Sequence, residues 1–203
     1  MLKKIISGIT AASIVSMGGS AFLSCESKPV GALLFTLGLL GVCYYGLNLY
    51  TGKIGYMIEK HDREAVSTLL LGLLGNLIGG ILCGLVMAEA SPALAEKARE
   101  VCQAKLALSL PAGLIKGFFC GVLIYLGVDT FRNKKTLAGI LVGVPVFILS
   151  GFEHSVADMF YFAAAGIFTL DALGFIALIV VGNGIGSLVF DRLLHGAGVK
   201  EKV

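Results

Sequence analysis

The sequence predicts an all-α membrane protein of six transmembrane helices, built as two halves of three helices with broken second and fifth helices. Three observations favour this fold class. Of the 203 residues, 57% are hydrophobic and 14% are charged, whereas a soluble domain has about 25% charged residues. Six apolar runs are long enough for the roughly 20 residues with which a helix crosses a bilayer. A repeat relates the two halves, because GNLIG at 75–79 returns as GNGIG at 182–186.

The six apolar runs lie at about 5–24, 30–58, 65–88, 107–129, 136–163 and 169–190. The first run follows two lysines and ends before Cys25, as a secretory or lipoprotein signal would. Phe22, however, is too large for the position three residues before a cleavage site. We therefore interpret this run as the first membrane helix.

The second and fifth runs are longer than the others and carry polar residues near one end. These interruptions read NLYTG at 48–52 and GFEHS at 151–155. Inside a bilayer every backbone group needs a partner within the protein, and a polar break is tolerated only where it faces a cavity. The two interruptions therefore predict broken helices that line a pore or a binding site.

Each half of the chain, about 1–100 and about 101–203, holds three runs. An odd number of helices per half gives the halves opposite orientations, which is the inverted-repeat plan of many transporters, here within a single domain. An even total places both termini on one side. Eleven of the 16 lysines and arginines lie at the termini and in the even-numbered connections. The positive-inside rule makes that side the cytoplasmic side of the cell membrane.

The charge and motif content argue against nucleic-acid binding and enzymatic chemistry. The net charge of +3 is spread over short loops. The five cysteines have neither metal-site nor disulfide spacing, and we interpret them as packing residues. The chain also lacks a nucleotide fingerprint, a GxSxG elbow, an HExxH helix and a redox cysteine pair. We therefore expect no enzyme activity, no cofactor and no metal.

A charged cluster lies within the fifth run, where SGFEHSVADMF at 150–160 contains Glu153, His154 and Asp158. Ionisable residues inside membrane spans are costly and mark transport pathways or paired sites. His154 can exchange a proton near neutral pH. If a helix resumes at about Glu153, this carboxylate could cap it, and Asp158 would share a helix face with His154 and favour its protonated form. The alternative is a structural histidine, hydrogen-bonded and inert.

Four further polar residues carry two interpretations each. Thr51, beside Tyr50 in NLYTG, either offers a hydroxyl to the pore or caps a helix. Lys105 follows the acidic loop AEKAREVCQ and begins the fourth run, where it either snorkels to the surface or raises the anion concentration at a pore mouth. The repeated asparagines, Asn76 and Asn183, are either buried hydrogen-bonding side chains or substrate contacts. Together with the histidine, these residues predict a channel or secondary transporter for a small anion or its conjugate acid.

These motifs resemble those of the formate/nitrite transporter family over nearly the whole chain. SGFEHSVADMF is similar to the family's fifth-helix signature, NLYTG to its second-helix loop, and GNLIGG and VGNGIGS to its asparagine motifs. Lys105 stands twelve residues before Gly117, the spacing that the family keeps between its vestibule lysine and its fourth-helix glycine. The resemblance implies an aquaporin-like six-helix protomer in the inner membrane, usually in a homopentamer with one pore per subunit.

The resemblance also implies roles for individual residues around a central histidine. Leu39 and Tyr50 would line a cytoplasmic constriction, and Phe147 would line a periplasmic one. Thr51 would hydrogen-bond His154.

The same resemblance implies two more roles, and the sequence differs from the family pattern at three positions. Lys105 would draw anions into the outer vestibule, and Glu153 would hold the broken loop of the fifth helix. The family usually has asparagine where this chain has Asp158 and Gly121, and commonly phenylalanine where it has Tyr50. The aspartate adds a possible negative charge beside the expected proton donor.

The leading prediction is passive or proton-coupled transport of a small monovalent weak-acid anion such as formate, nitrite or hydrosulfide across the lipid bilayer. The alternative is an aquaporin-like facilitator of a neutral solute such as water or ammonia. A structural membrane protein without transport would explain the apolar runs, but it leaves GFEHS, NLYTG and Lys105 without a common cause.

Overall fold

The structure is a computed structural model that describes residues 1–200, and this part of the chain is all-helical. Its α-helices are α1 (Leu2–Ser24), α2 (Lys28–Tyr45), α3 (Tyr50–Lys53), α4 (Arg63–Ala90), α5 (Pro92–Leu106), α6 (Leu110–Lys134), α7 (Ala138–Leu149), α8 (Ser155–Ala164) and α9 (Leu170–Gly196). A 3₁₀-helix, Ile54–Met57, directly follows α3.

Within residues 1–200, five helices are long and apolar enough to cross a membrane, namely α1, α2, α4, α6 and α9. The six predicted runs therefore do not give six continuous long helices. The fifth run is divided between α7 and α8, and α7 has only 12 residues. The second run is divided among α2, α3 and the 3₁₀-helix. The chain is thus a helical membrane protein whose second and fifth runs are each divided into separate helices.

Glycine ends the helix at both interruptions. Gly46 follows α2 with φ of +63°, and Gly151 follows α7 with φ of +66°. A glycine in this left-handed conformation is the common helix stop, because it has no Cβ to clash with the preceding turn. In each case the backbone amide after the glycine donates a hydrogen bond to a carbonyl in the last turn of the helix. Leu47 donates to the Val42 carbonyl, and Phe152 donates to the Phe147 carbonyl. The two interruptions therefore use the same local device.

Small residues bring the long helices into close contact in two pairs, α1 with α4 and α6 with α9. A Cβ on Gly75 of α4 would overlap the carbonyl oxygen of Ile5 in α1. A Cβ on Gly186 of α9 would likewise overlap the carbonyl oxygen of Phe118 in α6. Backbones this close pack well only where the side chain is a hydrogen atom, as is common between membrane helices. Helix α4 further packs on α8, and α2 packs on α7.

The segment that carries Lys105 is a helix of its own, whereas the sequence suggested an acidic loop leading into the fourth run. Helix α5 begins where the Ser91 hydroxyl accepts a hydrogen bond from the Leu94 amide, with Pro92 in the first turn. Serine at the cap and proline at the first position are a typical helix start. Lys105 lies in the last turn of α5, and α6 begins only at Leu110.

Candidate functional site

The two helix starts that follow the interruptions meet at a buried pair of side chains. The hydroxyl Oγ1 of Thr51 lies 2.9 Å from the imidazole Nε2 of His154. Thr51 lies in α3, and His154 is the residue immediately before α8. Both side chains are buried. The structure therefore brings together the threonine and the histidine of the two polar motifs.

The second ring nitrogen of His154 determines where the ring proton is. Nδ1 accepts a hydrogen bond from the Ala157 amide at 3.1 Å and so caps α8. A nitrogen that accepts an N–H carries no proton of its own, so the neutral ring holds its proton on Nε2. His154 therefore donates to the Thr51 hydroxyl. Protonating the ring on both nitrogens would break the cap.

The repeated asparagine Asn76 holds the start of α3 in place. Its side-chain oxygen accepts from the Tyr50 amide at 2.9 Å. Its NH₂ group donates to the carbonyl oxygens of Gly8 and Asn48, each at 2.9 Å. The side chain is fully buried. Asn76 therefore has the structural, hydrogen-bonding role that was one of its two predicted interpretations.

Asn183 makes the same three bonds at the start of α8. Its oxygen accepts from the Ser155 amide at 2.9 Å, and its NH₂ group donates to the carbonyl oxygens of Gly117 and Glu153, each at 2.8 Å. The two asparagines satisfy backbone groups that the helix interruptions would otherwise leave unpaired. Their hydrogen bonds go to backbone groups next to Thr51 and His154 and so fix the positions of these two residues.

A second polar group surrounds the ammonium of Lys105. Its Nζ lies 2.9 Å from Oδ1 of Asp158 and in a closer contact with the Glu153 carboxylate. The ammonium is therefore turned inward to two carboxylates, and it does not snorkel to the surface. Burial lowers the pKa of Lys105, but the charges of Asp158 and Glu153 raise it by more, so the pKa lies above its ordinary value. Lys105 is thus a cation paired with two carboxyl groups.

This arrangement differs from the expectation that Asp158 would stabilise a protonated His154. A spacing of four residues brings side chains together only when both residues lie in the helix. His154 precedes α8 with φ of −110° and ψ of 110°, so its ring leaves the helix face and turns to Thr51. Asp158 lies within α8 and pairs with Lys105 instead.

A cavity of about 360 Å³ joins the two polar groups. Its lining includes Lys105, Glu153, Asp158, His154 and Phe147. The ring of Phe147 stacks on that of His154 with centroids 5.9 Å apart. A solute in this cavity can therefore reach the charged group and the histidine together, with an aromatic ring beside them.

Another cavity, of about 230 Å³, lies near the end of α2. It is lined by Leu47, by Leu49 of the first interruption, and by the basic residues Lys53 and Arg132, among others. The sequence predicted no pore-lining role for Leu47, Lys53 or Arg132. Their signal was weak, since leucine beside a polar motif and basic residues at helix ends are common in membrane proteins.

Leu39 and Tyr50 are buried and lie outside the linings of these two cavities. The Tyr50 hydroxyl donates to the Val180 carbonyl of α9 at 3.1 Å. The ring is thereby fixed between α3 and α9. Lys116 of α6 lines the larger cavity as well, although its position in an apolar run had attracted no prediction.

Comparison with known proteins places these features in a family. A family model described as formate/nitrite transporter matches residues 1–196. The chain is 33% identical to the uncharacterized transporter YrhG of Bacillus subtilis, over 87% of this chain and 73% of that protein. It is 22% identical to the formate channel FocA of Haemophilus influenzae, over 76% of this chain and 63% of that channel.

A solved structure has the same fold. The solved structure of a pentameric formate channel with formate bound superposes with a TM-score of 0.81, over 98% of this chain and 97% of that one, at 20% identity. At this identity the likeness shows the fold alone. The family match over nearly the full length, together with the identity to YrhG, leads to a single conclusion. This chain belongs to the formate/nitrite transporter family, a family of membrane transport proteins and not of enzymes.

Proposed function

We propose that this chain forms a pore for small monovalent weak-acid anions such as formate, nitrite or hydrosulfide, which cross by passive or proton-coupled transport. The observation that carries the proposal is the cavity in which Lys105 and His154 lie together, next to the aromatic ring of Phe147. The relationship to formate channels supports this substrate class. A cation attracts an anion into the cavity, and the apolar surroundings then favour its neutral acid.

The proposed architecture has six membrane spans in two inverted halves, about 1–100 and about 101–203, within one domain. The spans are α1, α2 with α3, α4, α6, α7 with α8, and α9. The matched bonds of Asn76 and Asn183 at the two interruptions support this arrangement. The distribution of basic residues supports cytoplasmic termini in the inner membrane. The pentameric assembly named for the similar solved structure supports a homopentamer.

The proposed route runs from the Lys105 cavity past Phe147 to the Thr51–His154 pair. Leu39 and Tyr50 form the constriction between this pair and the cytoplasm. An ion that enters such apolar surroundings loses its hydration at a cost of several kcal/mol. A neutral acid avoids this cost and can accept the hydrogen bond that His154 otherwise donates to Thr51. Glu153 supports the route indirectly, because its carboxylate holds Lys105 and its carbonyl is bound by Asn183.

The experiment that tests this function measures formate and nitrite uptake into proteoliposomes containing the full chain. The variant His154→Ala removes the Nε2–H donor and the α8 cap, so uptake should fall by at least about tenfold. His61→Ala is the matched control, because His61 is exposed in the connection before α4. Equal uptake by the wild type and protein-free liposomes would reject the proposal.

A second candidate, an aquaporin-like facilitator of water or ammonia, is favoured by two observations. Two carboxylates offset the charge of Lys105, and His154 holds its cap as a neutral ring. A pore for neutral solutes should be indifferent to competing anions. Water or ammonia flux that is unaffected by excess formate, without any formate uptake, would favour this candidate.

A further inference from the structure

The Lys105 cavity holds two carboxylates and one ammonium in close contact. Asp158 and Glu153 both pair with Lys105, and all three side chains are largely withdrawn from solvent, with 1%, 6% and 12% of their surfaces exposed. With every group ionised, the cluster carries one uncompensated negative charge. Such a charge is costly in a buried site, and a single added proton removes it.

The contacts identify which carboxylate takes that proton. The Glu153 carboxylate accepts a hydrogen bond from the ammonium, so its negative charge is the better compensated. Asp158 is fully buried, and among the described residues neither of its oxygens has a hydrogen-bond partner of good geometry. Only its Oδ1 lies near the ammonium, at 2.9 Å. A proton on Asp158 would therefore satisfy the less stabilised of the two groups.

The other titratable groups around Asp158 do not compete for this proton near neutral pH. Those that face it are Cys102 of α5, Cys120 of α6 and Tyr161 of its own helix, α8. Thiols and phenols are ordinarily neutral at pH 7. His154 lines the same cavity, but its Nδ1 is occupied by the Ala157 amide. Lys116 is a basic residue that also lines this cavity.

We propose that Asp158 is the proton donor of this pore, which gives its proton to an anion held in the Lys105 cavity. The proposal rests on the anion transport proposed above and names the group that couples it to protons. It moves that role from the histidine, whose cap opposes double protonation, to a carboxyl group that needs a proton to remove an excess charge.

The proton balance of the step is simple. The O–H bond of the Asp158 carboxylic acid breaks, and the proton forms a new O–H bond on the carboxylate or nitrite ion, or an S–H bond on hydrosulfide. The neutral acid leaves past Phe147. The Asp158 carboxylate that remains is stabilised by Lys105 until it takes a proton from the solution on the open side of the cavity. One proton crosses with each anion, and no net charge moves.

The ionised state of Asp158 also acts against the substrate. With both carboxylates charged, the cluster is net negative and repels a second anion. Anion entry therefore requires a protonated Asp158. An anion thus enters the cavity only when Asp158 carries the proton that it can donate.

The test compares wild type with Asp158→Asn and with the matched control Asp171→Asn, since Asp171 is exposed in the first turn of α9. Formate uptake and internal acidification are followed in proteoliposomes at about pH 5.5 and about pH 7.5. Protonated Asp158 is depleted as the pH rises, while an asparagine does not titrate. The ratio of Asp158→Asn flux to wild-type flux should therefore rise about tenfold or more between these pH values. Asp171→Asn should follow wild type.

A flux ratio that is the same at both pH values would overturn the proposal, as long as wild type transports formate. Lack of formate flux in wild type would instead reject the transport function itself. A transport-independent measurement is the infrared C=O band of a protonated carboxylic acid in the purified wild type. This band should fade as the pH rises, be missing from Asp158→Asn, and return in Asp158→Glu. A wild type without such a titrating band would equally contradict the proposal, even if Asp158→Asn failed to assemble.

Discussion

The Nε2 atom of His154 lies 2.9 Å from the hydroxyl of Thr51, although 103 residues separate them in the chain. This contact joins the starts of α3 and α8. Asn76 bonds to the first backbone amide of α3, and Asn183 bonds to the first backbone amide of α8. The His154 ring is thus fully used, with one nitrogen donating to Thr51 and the other accepting from the Ala157 amide. Its environment favours a neutral donor of a single hydrogen bond.

Replacing Thr51 by valine tests this contact, because valine keeps the shape and removes the acceptor. The buried Nε2–H would lose its partner, which costs about 1–3 kcal/mol in stability. Thr10→Val is the control, since Thr10 is exposed and bonds only to the Ile6 carbonyl of its own helix. Denaturant unfolding in detergent measures both. A Thr51→Val protein as stable as the control would show that the ring proton has another acceptor.

Replacing Asn183 by leucine removes three hydrogen bonds at once. The Ser155 amide and the carbonyls of Gly117 and Glu153 would be left without the partner that they have now. At about 1 kcal/mol or more for each buried group, the free energy of unfolding should fall by at least about 3 kcal/mol. Asn133→Ala, at the exposed end of α6, should cost far less. Similar losses for both variants would contradict the assigned role of Asn183.

Two glycines of α9 should differ in how much stability they lose when a methyl group is added. In Gly186→Ala the new Cβ meets the Phe118 carbonyl, and separating α6 from α9 should cost about 1–3 kcal/mol. In Gly174→Ala the Cβ meets nothing within 4 Å, so the loss should not exceed about 0.5 kcal/mol. The same unfolding measurement compares the pair. If Gly186→Ala lost no more stability than Gly174→Ala, α6 and α9 could move apart at little cost in free energy.

The last described residues are held by an ion cluster at Lys200. Its Nζ lies 2.9 Å from Asp129, 3.1 Å from Asp191 and 3.2 Å from Glu59. Burial lowers the pKa of Lys200, but hydrogen bonds to these carboxylates raise it by more, so it lies above its ordinary value. A raised lysine pKa stabilises the fold fully below the unfolded-state value of about 10.4, and this stabilisation is lost as the pH rises through the folded-state pKa.

Residues 197–200, which follow α9, should therefore stay bound to the helices at neutral and mildly alkaline pH. Lys200→Gln removes the cation, and residues after α9 should then become markedly more sensitive to limited proteolysis at neutral pH. Lys134→Gln, at the exposed end of α6, is the matched control. Equal protection of residues 197–200 in wild type and Lys200→Gln would show that the cluster does not hold them.

Much of the helical framework was predictable from apolar runs. The third run, about 65–88, corresponds to α4 at Arg63–Ala90, and the sixth, about 169–190, to α9 at Leu170–Gly196. The polar interruptions were visible because charge and glycine are conspicuous in apolar sequence. Helix α5 was missed because it is amphipathic, and its start signal, Ser91 before Pro92, was not weighed.

The partner of Asp158 could not be predicted from local spacing. Lys105 lies 53 residues earlier in the chain, on a helix that was not foreseen, and only the tertiary packing of α5 on α8 brings them together. Local spacing instead suggested His154, because it assumed that the histidine was already helical. The position of a residue just before a helix start decides where its side chain points, and periodicity does not report it.

The bonds of the two asparagines have a consequence for how the chain is made. Within residues 1–200, the side chain of Asn76 bonds only to groups between residues 8 and 50, and that of Asn183 only to groups between residues 117 and 155. The helices up to α4 can thus complete the Asn76 bonds while the second half of the chain is still on the ribosome. Severing the connection around α5 should leave two fragments that insert separately and recombine when produced in the same cell.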